Sequence, residues 1–484
     1  MNEAPLESNE LNNGVLYGLD DRPPIGKAGL LAIQHVLTMF GSTVAVPLLL
    51  GPVRDDGTGM GMDLSQVAIL ISSVMLCSGV ATLIQVTFGS RLPIIQGVSF
   101  SFLAAFGGII AAIKVQGGEP AEMMQYIAGA VLVGAIIEMT IGFSGLVGKI
   151  RQVLSPVVIG PVIMLIGLAL YGVGAPIAGT CWPISILTIT LIIVFSYVLS
   201  RKFRFVQLFP ILLAIIISCA VCGILTVTGL VSETHPAYIK TDHIAAANWL
   251  RVQPSEVFFP WGLPKFHLGF ILAVLAGYLA SMIESFGDYH ACSQMAGGGN
   301  PDEKQLSRGI GCEGIGCALT SLFGGFSSTS YSENVGLIGL TKVGSRFVVQ
   351  IAAVILILLG LFGKFGAMAA SIPPPIVGGL YCALFGLISA VGVKELMKAD
   401  LNVDRNLFIA GFSLFMGLSV PAYFNSNQGA EFLKNIGNVS EGLRDIVQSI
   451  GKTGMAVAAI TGLTLDNTLP ATRKQRGLEE LSDG

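Results

Sequence analysis

Three carboxylates stand where an apolar chain should not carry them. In GYLASMIESFGDYHACS, Glu284 and Asp288 are four residues apart and share one helix face. Two charges at that spacing repel and lose hydration, and a cation bound between them, H⁺ or Na⁺, would relieve both penalties. The bland alternative is a helix end where both acids meet water. Further on, SSTSYSENVGLIGLTK (Ser327–Lys342) is dense in hydroxyls and glycines and carries Glu333. Glu333 and Asn334 open the apolar half of that stretch, and a helix N-terminus offers free N–H groups and positive dipole to a carboxylate or a ligand. Capping alone needs only Ser332 or Asn334, whereas a buried glutamate costs far more than a cap requires. Glu333 therefore reads as a binding residue.

The solvent makes these residues informative. Of 484 residues, 52% are hydrophobic and only 12% charged, with a mean hydropathy of +0.74. Soluble domains carry about a quarter charged residues, so the chain reads as an integral membrane protein. Lipid tolerates irregular polar backbone only where protein or a cavity covers it, and an ionisable residue at that depth marks function. A net charge of -3 without a dense basic run excludes nucleic acid as a partner. The polar, acidic start is not a cleavable signal peptide. Cys219 and Cys222 form a CxxC inside an apolar helix, where packing outweighs metal or redox chemistry. Asn438-Val439-Ser440 is a glycosylation sequon by pattern only.

Apolar runs of the length that crosses a bilayer predict an all-α fold of fourteen transmembrane segments. The first seven are near 29–50, 65–88, 94–113, 126–147, 154–174, 183–200 and 208–230. The second seven are near 267–289, 309–324, 329–341, 346–366, 372–392, 406–421 and 452–469. The third and tenth open on polar or small residues (93–106 and 327–340), predicting a short extended stretch that leads into a half-length helix. SPVVIGPVIMLIGLALYGVG and PPPIVGGLYCALFGLISAVG share a proline entry and glycine-spaced body, each two spans after its half's interrupted segment. Paired broken segments in corresponding halves point to a transporter's binding site. Seven spans per half is odd, so the two repeats are expected to be inverted. With both termini cytoplasmic, most of the 27 basic residues fall inside, Arg22, Lys27, Arg91 and Arg346 among them.

Other polar residues interrupt the spans. Gln34 and His35 sit in the first; such a histidine is equally a helix–helix hydrogen bonder or a site residue. Gln96, Ser99 and Phe100 lie in the third, where Phe100 offers a ring to a planar ligand or to packing. Glu138 and Glu313 are further acids in the fourth and ninth, and the sequence leaves open whether they pair with polar neighbours or meet substrate. His290 reads as a loop residue beyond the membrane edge. An intramembrane enzyme built on Glu284, Asp288 and His290 is a poor rival, because no His/Cys ligand set at metal spacing accompanies them. A channel with an acidic filter is a second rival, which saturable, gradient-driven accumulation would exclude.

At these residues the chain resembles the nucleobase–ascorbate transporter family, the second type of nucleobase:cation symporter. The family signature, [Gln/Glu/Pro]-Asn-x-Gly-x-x-x-x-Thr-[Arg/Lys/Gly], is matched in full by Glu333-Asn334-Val335-Gly336-Leu337-Ile338-Gly339-Leu340-Thr341-Lys342. Gln34-His35, GVSF at 97–100 and ESFGD at 284–288 match further family motifs in the same order, and the resemblance covers about 25–470. It implies a core domain (29–147 and 267–366), a gate domain (148–230 and 367–469), polar tails (1–28 and 470–484) and an extracellular loop (231–266). It also implies a substrate site of Glu284, Glu333, Phe100, Ser99, Asn334 and Ser332, and cation coupling through Asp288, Glu284 and His35. The expected protein is a plasma-membrane homodimer with no cofactor, driven by H⁺ or Na⁺, with Asp288 as ligand if the ion is sodium. Glu at the first signature position resembles uracil carriers, Gln purine carriers and Pro ascorbate carriers. Bacterial uracil permeases carry His where Asp288 stands, so the ion and the range of bases stay open.

Overall fold

In the computed structural model, residues 15–53, 59–148 and 153–478 are described, apart from the side chains of Arg204, Asn438, Val439, Glu441, Gly442, Asp445 and Ser449. The sequon's Asn438 and Val439 side chains are thus outside the description, as are Lys149, Arg151 and the outermost residues of both tails. The structure is mostly helical, and eight helices among the described residues are long and apolar enough to cross a membrane. Local chemistry sets their ends. Pro120, Pro156, Pro210 and Pro374 each occupy the first helical turn, where the missing N–H costs nothing. Asp63 and Gln66 form a reciprocal capping box at the start of Leu64–Thr87.

The order long helix, long helix, strand, short helix, helix occurs twice. It runs Ile25–Leu50, Leu64–Thr87, Gln96–Val98, Leu103–Val115, Pro120–Phe143, and again Leu268–Met295, Glu303–Phe323, Ser328–Ser330, Ser332–Thr341, Arg346–Leu361. Both interrupted segments are therefore strand-then-short-helix units. Call the strands β1 (Gln96–Val98) and β2 (Ser328–Ser330). They pair antiparallel, with Gln96 opposite Ser330 and Val98 opposite Ser328. Ser99 N–H donates to Ser327 O (2.9 Å) and Tyr331 N–H to Ile95 O (3.0 Å), extending the ladder at both ends. This two-stranded ribbon answers the demand that backbone inside lipid find internal partners.

Helices approach through small residues. A Cβ on Gly142 would stand 2.2 Å from Gly311 N, so Pro120–Phe143 and Glu303–Phe323 meet almost backbone to backbone. Leu64–Thr87 packs on Arg346–Leu361, and Pro156–Leu168 on Pro374–Leu396. Gly97 in β1 faces the Tyr331 ring, where a Cβ would lie 2.3 Å from Cζ. That ring cannot yield, because Tyr331 OH donates to Val98 O (3.0 Å) and accepts from Thr43 Oγ1 (3.3 Å). Gly97→Ala is expected to cost about 1–3 kcal/mol by overpacking, read as a lower melting temperature of the purified protein.

Two stretches between the expected spans carry structure. Within 422–451 lie the helices Asn427–Val439 and Glu441–Gly451. Their apolar residues recur at helical spacing but are too few for a span, so a hydropathy search passes over them. In 231–266, Arg251 is buried; it donates to Ile69 O (3.4 Å), Ser73 Oγ (3.2 Å) and Glu256 O, and its backbone N–H meets Leu361 O. Burial lowers its pKa from the ordinary guanidinium value. This loop is fastened onto the helices beneath it.

Candidate substrate site

The site lies where the paired strands β1 and β2 hand over to their short helices, beside the long helix Leu268–Met295. Ser332, Glu333 and Asn334 open the short helix Ser332–Thr341, yet Tyr331 is its N-cap residue and no side chain caps it. All three polar side chains reach other elements instead. Ser332 Oγ donates to Asp288 Oδ1 (2.7 Å), Ser42 Oγ donates to Glu333 Oε1 (2.9 Å), and Asn334 Nδ2 donates to His35 O (2.9 Å) and Nδ1 (3.2 Å). The capping alternative for this tripeptide is thereby removed. His35 thus bonds Asn334 from the first helix.

Glu284 and Glu333 are both half-buried, one turn and one residue respectively from the Asp288–Ser332 bond. Glu284, Asp288, Glu333 and Glu313 all lie close enough to interact electrostatically. Beside them a Cβ on Gly287 or Gly336 would meet nothing within 4 Å, so open space adjoins both helices here. Asp288 is buried, and among the described residues neither its Oδ2 nor Asn334 Oδ1 has a protein partner. Such buried acceptors are expensive unless a ligand, water or ion meets them.

Ser99 is fully buried and its Oγ accepts from Ser101 N–H (3.2 Å), shaping the turn out of β1. Phe100 is half-buried and meets Phe385 edge-on, with ring centroids 6.3 Å apart, while Phe385 stacks on Tyr381 at 5.2 Å. Phe385 belongs to Pro374–Leu396, so Phe100 faces the second helical group across the site. Glu313 has its own hydroxyl donors: it accepts from Ser281 Oγ (3.0 Å), Ser285 Oγ (2.6 Å) and Tyr289 OH (2.8 Å). Ser285 Oγ also contacts Ser330 Oγ (3.1 Å), tying Glu313 to β2. Glu138 is buried beside Cys317 and Glu313. His290 lies within Leu268–Met295, which continues past the expected edge to Met295.

Residues missed in the sequence are Ser42, Tyr331, Phe385 and the stripe Ser281, Ser285, Tyr289. Ser42 stands seven after His35 on the same helix face, and the stripe recurs every four residues. Both were readable as polar faces within apolar helices.

Comparison with known proteins follows the same residues. The model of a family described as the permease family matches residues 26–426. The chain belongs to that permease family. Among this permease's relatives, mouse solute carrier family 23 member 2 is 36% identical over 97% of this chain and 77% of its own length. Nucleobase-ascorbate transporter 2 of Arabidopsis thaliana is also 36% identical, over 96% of this chain and 90% of its own. The transmembrane domain of the cyanobacterial bicarbonate transporter BicA has the same fold, with a TM-score of 0.52 at 16% identity, covering 90% of this permease and 96% of that chain. This permease is thus a multi-pass membrane transporter for small molecules.

Proposed function

We propose that this permease is a cation-coupled symporter of neutral nucleobases, uracil first, with xanthine and other oxopurines as further candidates. The observation that carries the reading is that Glu284 and Glu333 stand near the paired strands, on helices that open space adjoins at Gly287 and Gly336. A carboxylate accepts N–H bonds from a neutral lactam ring and repels an ascorbate anion. Ascorbate symport is the second reading, favoured by relatives whose names pair nucleobase with ascorbate.

In this reading fourteen spans form two inverted repeats, with both termini cytoplasmic in the plasma membrane. The antiparallel pairing of β1 with β2 supports it, because equivalent strands running in opposite directions are what inversion requires. Core (29–147, 267–366) and gate (148–230, 367–469) domains rock about the site, and a homodimer holds the gates. The pairing of Pro156–Leu168 with Pro374–Leu396, apart from the Leu64–Thr87 and Pro120–Phe143 pairs, supports that division. Glu284 and Glu333 bond the base, Phe100 covers its face, and Ser99, Ser332 and Asn334 hold the surrounding frame. The unpartnered Asp288 Oδ2 is the coupling position, where H⁺ or Na⁺ offsets the clustered charge as substrate binds. His35 acts through Asn334.

The experiment is uptake of labelled uracil into proteoliposomes under separately imposed H⁺ and Na⁺ gradients, competed by bases and by ascorbate. Inhibition by ascorbate with none by uracil analogues defeats the nucleobase reading. Asp288→Asn is expected to keep uracil binding within about threefold yet cut gradient-driven accumulation by roughly tenfold or more. Equal loss of both places Asp288 in binding rather than coupling.

A further inference from the structure

We propose that Arg22, Arg91 and Arg346 form a site for a phosphate-bearing anion, away from the substrate site. They line a cleft of about 200 Å³ between the segment before the first helix and the ends of Leu64–Thr87 and Arg346–Leu361, together with Asp20, Thr87 and Gln350. Three guanidinium groups share this space with one carboxylate. Asp20 pairs with Arg346, and the Arg22 guanidinium lies 5.8 Å from the centre of the Phe347 ring. Among the described residues neither Arg22 nor Arg91 has a carboxylate partner. Like charges crowded into one cleft repel, and a multivalent anion is the chemistry that reverses the sign of that interaction.

Two independent features point the same way. Arg91 is held at φ 56°, a left-handed conformation that non-glycine residues rarely adopt, and it directs a long cationic side chain into the cleft. The helix Arg346–Leu361 begins at the cleft without a side-chain cap, because Ser345 Oγ is spent on Asp21 O (2.6 Å). Its Arg346 N–H is taken by Leu19 O, while the positive end of the helix still favours an anion. Guanidinium forks arriving from three elements suit the several oxygens of a phosphate better than the two of a carboxylate. The source is either a lipid headgroup or a free phosphate.

Such an anion would fasten one segment of this chain. Leu16 N–H and Tyr17 N–H both donate to Lys342 O, and Gly344 N–H donates to Tyr17 O, so the segment ending in Arg22 straps the far end of the helix that carries Glu333. Lys342 there has φ 58°, and among the described residues its carbonyl accepts only from this strap. The effect on transport rests on the reading of the substrate site given above; anion binding itself does not.

The test uses the full-length protein in neutral detergent, with melting temperature followed against short-chain phosphatidylglycerol, phosphatidylcholine and inorganic phosphate at matched ionic strength. The wild type is expected to be stabilised by phosphatidylglycerol if the source is lipid, or by inorganic phosphate if it is free, and not by phosphatidylcholine. Arg22→Gln with Arg91→Gln is expected to weaken that response roughly a hundredfold in apparent affinity, about tenfold per arginine. Should the double variant fail to fold, Arg91→Gly serves instead, since it relieves the left-handed strain while removing the charge. A wild type indifferent to both phosphate sources, or variants that respond as the wild type does, overturns the site.

Discussion

Replacing Glu333 by glutamine is expected to move preference from uracil toward oxopurines. Ser42 Oγ already donates to Glu333 Oε1, which leaves the second oxygen to meet the ligand. Glutamine can keep its carbonyl on Ser42 and present an amide NH₂ where the carboxylate only accepted. A ring N–H that met an acceptor now meets a donor, while a purine carbonyl or unprotonated ring nitrogen gains a partner. One charge-assisted bond lost and one neutral bond gained should change the ratio of inhibition constants, uracil against xanthine, by roughly tenfold or more. Unchanged relative constants would remove Glu333 from base recognition. Because the Ser42 contact survives the substitution, the fold is not expected to suffer.

The largest effect is expected from Glu284→Ala. Glu284 is half-buried on the site side of Leu268–Met295 and makes no protein hydrogen bond among the described residues. Nothing in the packing depends on its carboxylate, so the variant should melt close to the wild type. Uracil binding, by contrast, should fall at least about a hundredfold, since a charge-assisted bond to the ring is lost without replacement. Wild-type affinity in a normally folded variant would take Glu284 out of the site. The pair of variants is expected to separate the two proposed roles, affinity for Glu284 and choice of base for Glu333.

Much of this arrangement is legible in the sequence, and specific residues show why. The strand-then-helix breaks follow from STSYSEN and GVSFSF, because small hydroxyl residues inside apolar runs have no other reason to be there. Ser332–Thr341 begins where the polar residues meet the apolar body, as expected. The amphipathic helices after Phe424 escaped because their periodic signal is strong but their hydropathy is low. His290 was misplaced because the helix runs past the apolar stretch on polar residues that still favour helix. Glu313 and Glu333 look alike in sequence, each an acid twenty residues from the other among small residues. Only the structure separates them.

What the sequence determined alone is the solvent, the class of fold and the identity of the exceptional residues. Lipid penalises every polar group, so each survivor in an apolar run advertises a function or a partner. Which of the two it has is decided by tertiary structure. Glu313 is surrounded by hydroxyl donors from a helix about thirty residues earlier, whereas Asn334 finds His35 and Glu333 finds Ser42 across nearly three hundred residues. Those pairings depend on how helices cross and rotate, which is set by the packing of small residues such as Gly142 on Gly311, summed over the whole molecule. Local periodicity identifies a face, and only the packed bundle decides what that face meets.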